Sequence, residues 1–318
     1  FSLYGEVRRP TARMMASFDV VLIDMQDVGC RIYTFITTLL YMLEECAKHG
    51  KELWVLDRPN PAGRPIEGLT LRPGNESFVG AGPVPMRHGL TMGAMAKWFV
   101  HHYKIDVHLT VVTMQGYNPL GGPGYGWPWL ELAWVNPSPN IPNLNSVRAY
   151  CGTVLLEGTT FSEGRGTTRA LEVAGAPDID ARRVLQEMNA TEDSWMQGAL
   201  IRECFFEPTV YKHQGRLCNG LQFHTDTNGY NPQIFKPYRL MALFFKCVRH
   251  LYPDYEMWRN FHYEYVKDRL AIDVINGSSL LREWVEDPSA KPDDFEKLLK
   301  ADEIAWQQAR RPFLIYAE

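Results

Sequence analysis

Three short apolar runs separated by helix-patterned stretches constrain this chain most. Phe18 to Asp24 (Phe-Asp-Val-Val-Leu-Ile-Asp), Glu52 to Leu56 and Val107 to Met114 have the length and composition of strands. Between the first two, Ile36, Leu39, Leu40, Leu43 and Ala47 recur at helical spacing, which predicts an amphipathic helix over Thr34 to Lys48 stopped by His49-Gly50. Thr91 to Tyr103 repeats the pattern with Met92, Met95, Ala96 and Phe99 on one face. Strand, helix, strand, helix, strand is the order of an α/β fold, here a Rossmann-like, doubly wound, mostly parallel sheet. The near-continuous apolar character of Phe18 to Asp24 reads as a strand buried on both faces.

Open α/β sheets bind ligands at the carboxyl ends of their strands. Asp24, Gln26, Asp27, Arg31 and Tyr33 follow the first strand, and Asp57, Arg58 and Asn60 leave the second. A structural alternative exists for Asp27, which would cap the helix or pair with Arg31.

Leu155 to Thr168 (Leu-Leu-Glu-Gly-Thr-Thr-Phe-Ser-Glu-Gly-Arg-Gly-Thr-Thr) fits neither periodicity. Gly158, Gly164 and Gly166 weaken a helix and contribute nothing to a strand. Glycines in a charged loop allow close backbone approach or positive φ. Glu157, Glu163, Arg165 and Thr167 on such a loop suit a polar ligand, and the competing reading is a tight turn in which Arg165 pairs with Glu157 or Glu163. Regular patterning also lapses from Gln115 to Pro142, where Trp127, Trp129 and Trp134 accompany Tyr117 and Tyr125. Long loops in compact domains are functional or disordered, and so many aromatic rings argue against disorder. Rings beside Asn and Ser suit a sugar, which stacks one face and hydrogen-bonds through its hydroxyls, whereas a hydrophobic clasp over the sheet edge is the alternative.

A domain boundary is expected at Gly175-Ala176-Pro177-Asp178, giving units 1–177 and 178–318. The second reads as a smaller α+β domain. Its predicted helices are Ile179 to Met188, Phe235 to Leu251, Ser278 to Val285 and Asp293 to Ala309, with strands at Ala199 to Phe206 and Leu217 to Thr225. Net charge is −4 and basic residues are scattered, which disfavours nucleic acid as a partner. No apolar run approaches the ~20 residues of a membrane span. Six widely spaced cysteines include no Cys-x-x-Cys pair, and Cys204 and Cys218 are candidates for pairing between strands. His101-His102 lies at a helix end and reads as solvated. The first visible strand is not followed by Gly-x-Gly-x-x-Gly, which disfavours a dinucleotide.

The runs Gln26 to Thr34 (Gln-Asp-Val-Gly-Cys-Arg-Ile-Tyr-Thr), Asp57 to Pro61, Arg87-His88-Gly89, Pro137 to Asn140 and Glu157 to Thr168 together resemble a bacterial family. Its members, first catalogued as a domain of unknown function, are exo-acting β-N-acetylmuramidases. The resemblance implies a Rossmann-like domain with an appended α+β domain and an active site in the cleft between them. It also implies release of N-acetylmuramic acid from non-reducing ends of peptidoglycan fragments, no cofactor, and a periplasmic or extracellular location. Two departures stand out. Family members usually carry Pro-Glu-His-Gly upstream of the segment matching Ser2 to Gly5, so the first strand–helix unit and a candidate catalytic glutamate are expected to lie outside this chain. Gly93-Ala94 stands where the family commonly has Gly-Glu.

Most glycosidases need one carboxylic acid as proton donor and a second carboxylate as base or nucleophile. Glu163 is the first expectation, Asp27 the second, and Glu157 the substitute or the group that orients Arg165. Arg31 and Arg165 suit the lactyl carboxylate of muramic acid. Asp57, Asn60, Ser138 and Asn140 are expected to contact hydroxyl or acetamido groups. His88 either contacts substrate or bonds within its loop. Asp24, Gln26, Tyr33, Arg58 and Thr167 complete the candidate saccharide contacts. Two other classes compete: a non-catalytic saccharide-binding protein, and a metal-dependent hydrolase using Asp24, Asp27, Asp57 and His88.

Overall fold

A computed structural model of the protein describes residues 1–3, 5–122, 125–128 and 131–316; Trp129 of the aromatic loop lies outside the described residues. A short helix α1 (Ala12–Met15) leads into β1 (Val20–Ile23), α2 (Phe35–His49) and β2 (Glu52–Leu56). An antiparallel pair follows, β3 (Glu67–Thr70) with β4 (Pro85–Arg87), then α3 (Met92–Tyr103) and β5 (His108–Val112). Strands β1, β2 and β5 form a parallel sheet in that order, with Ile23 beside Val55 and Val55 beside Val111. The helices start and stop where local chemistry dictates. Thr91 Oγ1 accepts the N–H of Ala94 at the head of α3, and Gly50 takes φ +62° to close α2.

Ile23, Leu53 and Val55 point into a core shared with Leu39, Leu43, Met95 and Phe99 of α2 and α3. The opposite sheet face carries Val20, Leu22, Trp54 and Val112, all exposed, Leu22 by 56%. Burial on both faces, as the apolar run predicts, is therefore not what the described residues show. Both helices pack on one face, and burial alternates along β1 and β2.

The second half contains α4 (Leu144–Thr153), β6 (Val173–Ala176), α5 (Ala181–Glu192), β7 (Leu200–Phe206) and β8 (Cys218–His224). It continues with α6 (Pro237–Leu251), α7 (Ala271–Asn276), α8 (Leu280–Glu286) and α9 (Pro292–Arg310). Strands β6, β8 and β7 form an antiparallel sheet in that order. Helix α6 starts with Pro237 at its first turn and is buried almost all round, so it is the spine of this half. The expected boundary falls at the end of β6, whose ladder partner is β8; α4 and β6 thus share a core with the later elements. Val-Ala-Gly-Ala is too short and too small to announce itself as a strand. Cys204 stands opposite Gly220 and Cys218 opposite Phe206, and all six cysteines are free.

Two buried charges join the halves. Glu67 of β3 accepts the backbone N–H of Tyr238 (3.2 Å) and of Arg239 (2.9 Å), placing a carboxylate at the positive end of α6. Burial pushes its pKa up while Arg239 opposes the shift. Arg31 donates to the carbonyls of Leu69 and Val84 on one side and of Ile275 and Asn276 on the other. Helix α9 then returns to β3 and β4, where Trp306 and Arg310 donate to the His88 carbonyl. Among the described residues no helix is long and apolar enough to cross a membrane.

Candidate active site

Because β1, β2 and β5 run parallel, the loops that leave them share one edge. A cavity of about 620 Å³ opens there, lined by Asp24 after β1, Leu56 to Pro59 after β2, and Met114 to Asn118 after β5. The aromatic loop closes it with Trp127, Pro128 and Glu131. That loop is fitted to the β2 edge at close range. A Cβ on Gly126 would lie 2.5 Å from the Asn60 carbonyl oxygen, and Tyr117 OH both accepts the Asn60 N–H and donates to the Gly126 carbonyl. Burial pushes the Tyr117 phenol up to about 12, which keeps it neutral and able to donate.

Two of the predicted carboxylates reach this cavity in different environments. Asp24 is half exposed and accepts from Arg58 Nε at 2.6 Å, a bond that holds its pKa below the ordinary range and raises that of Arg58. Asp57 is buried, and burial pushes its pKa up. Four donors oppose that: the N–H groups of Arg58 and Gly93, Thr91 Oγ1 at 2.7 Å, and Tyr316 OH at 2.8 Å. Asp57 is thus a brace for the head of α3, whereas Asp24 has room for a ligand. Ala94, the departure from the family pattern, is packed in the apolar core beneath this point.

The glycine-rich loop does something else. Val154–Gly158 is a 3₁₀ turn continuing α4, and the chain then folds on itself. Arg165 donates to Glu157 through Nη2 and to Glu163 through Nε at 2.6 Å, the tight-turn arrangement. Lys212 Nζ lies 2.7 Å from the second Glu163 oxygen and donates to the carbonyls of Leu156 and Thr159. Tyr263 OH donates to Glu157 at 2.7 Å. Burial works against the Glu163 charge, yet Lys212 and Arg165 outweigh it and its pKa falls below the ordinary range. Gly164 and Gly166 serve this packing, with φ of +76° and +81°; a Cβ on Gly166 would sit 2.7 Å from the Val210 nitrogen.

Most of the other expected site residues are partnered inside the protein. Glu163 is fully buried, with Arg165 and Lys212 each within ion-pair distance of one of its oxygens. Glu157 and Arg165 complete the same cluster, and Thr167 donates to the Gly164 carbonyl beside it. Arg31, expected at the lactyl carboxylate, is wholly buried, donates to four carbonyls, and has its pKa pulled down to about 10 by desolvation. Asp27 accepts the Gly29 N–H at 2.7 Å and has His88 Nε2 at 3.4 Å, both side chains buried. His88 Nδ1 accepts the Leu90 N–H, so in the neutral ring Nε2 carries the proton toward Asp27. Gln26 donates to the Asp27 and Pro59 carbonyls, and Asn60 folds its own turn through Leu90 and Ala62. Tyr33 packs edge-on against Phe35 and Tyr150. Ser138 and Asn140 are not among the residues lining the cavity.

The metal-hydrolase alternative finds no grouping of its ligands among the described residues. Asp24 pairs with Arg58 and Asp57 caps α3, and among the described residues no group of three or more His, Cys, Asp or Glu side chains is disposed to hold a metal ion. Sequence reasoning overlooked Glu131 and Lys212. Glu131 lies two residues past Trp129, so its aromatic surroundings were a usable signal, while nothing in the Lys212 neighbourhood pointed to a partner 49 positions earlier.

Comparison with known proteins agrees along the whole chain. Residues 1–145 match the family described as exo-β-N-acetylmuramidase NamZ, N-terminal, and residues 148–316 match its C-terminal counterpart. Peptidoglycan β-N-acetylmuramidase NamZ of Bacillus subtilis is 35% identical over 321 residues, spanning 99% of this chain and 72% of the relative. A crystal structure of a DUF1343 family protein from Bacteroides fragilis superposes with a TM-score of 0.84 at 26% identity, covering 100% of this chain and 80% of that one. A second Bacteroides fragilis protein of that family shares the fold at a TM-score of 0.72 and 24% identity, covering 97% and 78%. Matched in both halves by sequence and throughout by fold, the chain belongs to the exo-β-N-acetylmuramidase NamZ family.

Proposed function

We infer that the chain is a glycoside hydrolase acting on peptidoglycan fragments, from whose non-reducing ends it releases N-acetylmuramic acid. The observation that carries this is the unbroken relationship to the Bacillus subtilis muramidase over 99% of the chain. The carboxyl-edge cavity supports it: at about 620 Å³ it has the size of a small-ligand site, and aromatic, carboxylate and guanidinium groups converge on it. We assign Asp24 to the reacting centre as the ionised carboxylate, poised by Arg58, and Glu131 as the second carboxyl in the same cavity. Arg58 takes the place of Arg31 as the guanidinium near the lactyl group. We propose a periplasmic or extracellular location, where peptidoglycan is found, and fractionation checks it. The enzymatic test is release of free muramic acid from a muramyl-N-acetylglucosamine disaccharide, followed by mass spectrometry. A folded protein that binds the disaccharide without cleaving it would instead support a saccharide-binding role.

A further inference from the structure

A second cavity, of about 690 Å³, lies between the aromatic loop and the start of α4. Its walls differ in kind from those of the first. The rings of Tyr125, Trp134 and Tyr230 line it together with the amides of Asn145 and Asn228. Arg148 stacks over Tyr230 with its guanidinium 4.6 Å from the ring centre, and its Nη1 donates to the Thr225 carbonyl at 2.9 Å. Asp226, the carboxylate of this cavity, lies 3.6 Å from His224 Nδ1. One cation and one anion, each with a partner in the protein, leave a surface of near-neutral charge, rich in rings and amides. A neutral hexose with an acetamido group matches that surface: its apolar face stacks on a ring and its hydroxyl and amide groups bond to Asn side chains.

The two cavities are neighbours across a shared aromatic wall. Trp127 lines the first and Trp134 the second, and their rings meet edge to face at 5.0 Å. The carboxylates Asp24, Asp57 and Glu131 are all on the Trp127 side. We propose that the cavity around Trp134, Tyr230, Asn145 and Asn228 is a second saccharide subsite, which holds a neutral amino-sugar unit of the glycan beyond the unit held among the carboxylates. The sugar class rests on the glycoside-hydrolase reading above. The division of labour follows from the walls: bond cleavage needs carboxylates, and the second cavity offers stacking and hydrogen bonds.

The test is saturation-transfer NMR of the full chain with N-acetylglucosamine, on the wild type, Asn228→Ala and Trp134→Leu, with thermal unfolding run on each. Asn228 is exposed, so its loss leaves the fold intact even if Trp134→Leu does not. Wild-type protein is expected to show saturation transfer, and each folded variant to bind about tenfold more weakly, the equivalent of one or two lost contacts. The kcat/KM of the muramyl-N-acetylglucosamine disaccharide relative to an aryl muramide should fall by a similar factor. No binding by the wild type, binding unchanged in both variants, or a preference for an acidic peptide over the neutral sugar overturns the subsite. Loss of N-acetylglucosamine binding in the variants of a protein that cleaves neither substrate upholds the subsite and removes the hydrolase reading. Cleavage of both substrates with their ratio unmoved does the reverse.

Discussion

Glu163→Gln separates a catalytic carboxylate from a structural one. The wild-type cluster of Glu157, Glu163, Arg165 and Lys212 sums to zero charge, and the substitution leaves one positive charge in excess in a site where Glu163 is fully buried. Removing one partner of a buried ion pair costs about 3–5 kcal/mol. An independent ceiling comes from Lys212, which can shed its proton. Neutralising a lysine of ordinary pKa at pH 7 costs roughly 4–5 kcal/mol. Burial already lowers the Lys212 pKa, with Glu163 opposing the shift, so the lower part of the range is expected.

The assay is urea unfolding of wild type and variant from about pH 2.5 to pH 9. The deficit of the variant should shrink by up to about 1.4 kcal/mol per pH unit above neutrality, as Lys212 neutralises more cheaply. On the acid side the sign runs the other way. The folded Glu163 pKa lies below its unfolded value, so its contribution is complete above about pH 4.5 and is lost as pH falls through the folded pKa. Wild type has that acid dependence and Glu163→Gln lacks it. Adding Lys212→Met to the variant should recover part of the loss, since no unpaired ammonium remains. A stable Glu163→Gln protein, down by less than about 1 kcal/mol with turnover down a hundredfold or more, would refute this reasoning and return Glu163 to the reacting centre.

Arg31→Met should lower stability by about 3 kcal/mol or more in urea titrations, since four carbonyls lose a charged donor, with equal effects on muramic acid and N-acetylglucosamine binding. A loss confined to muramic acid would restore the lactyl role. Asp24→Asn should cut turnover by about 10²–10⁴ and leave the melting temperature almost unmoved, since the side chain is half exposed; residual turnover above about a tenth would move the assignment elsewhere. Gly29→Ala should destabilise by roughly 1–3 kcal/mol, because φ is +75° and a Cβ would lie 2.2 Å from Asn60 Oδ1. Calorimetry showing no change in melting temperature would mean the Asn60 turn gives way freely.

Periodicity placed β2 over Glu52–Leu56 and carried α2, α3, α6 and α9 to within a residue or two, because apolar spacing, Thr and Pro starts and Gly stops are local signals. Parallel order then follows from alternation, and with it the gathering of Asp24, Asp57 and Arg58 at one sheet edge. Local reading could not tell which charged side chains face solvent there and which are sealed inside. Arg31 and Asp24 are seven positions apart on one loop. The first meets carbonyls of residues 275 and 276, and the second meets Arg58 and the open cavity. Glu163 has the composition of a ligand-binding loop around it, and Lys212, brought in from beyond β7, joins the local Arg165 in pairing it as a buried anion. The same holds for the open face of the parallel sheet, since a strand's sequence records how apolar it is and not how many of its faces a helix covers. Secondary structure was decided by spacing along the chain. The pairing of Arg165 with Glu157 and Glu163 is local, but the fate of Arg31, Asp24 and Glu163 was decided by burial and by partners dozens to hundreds of residues away, which no local pattern encodes.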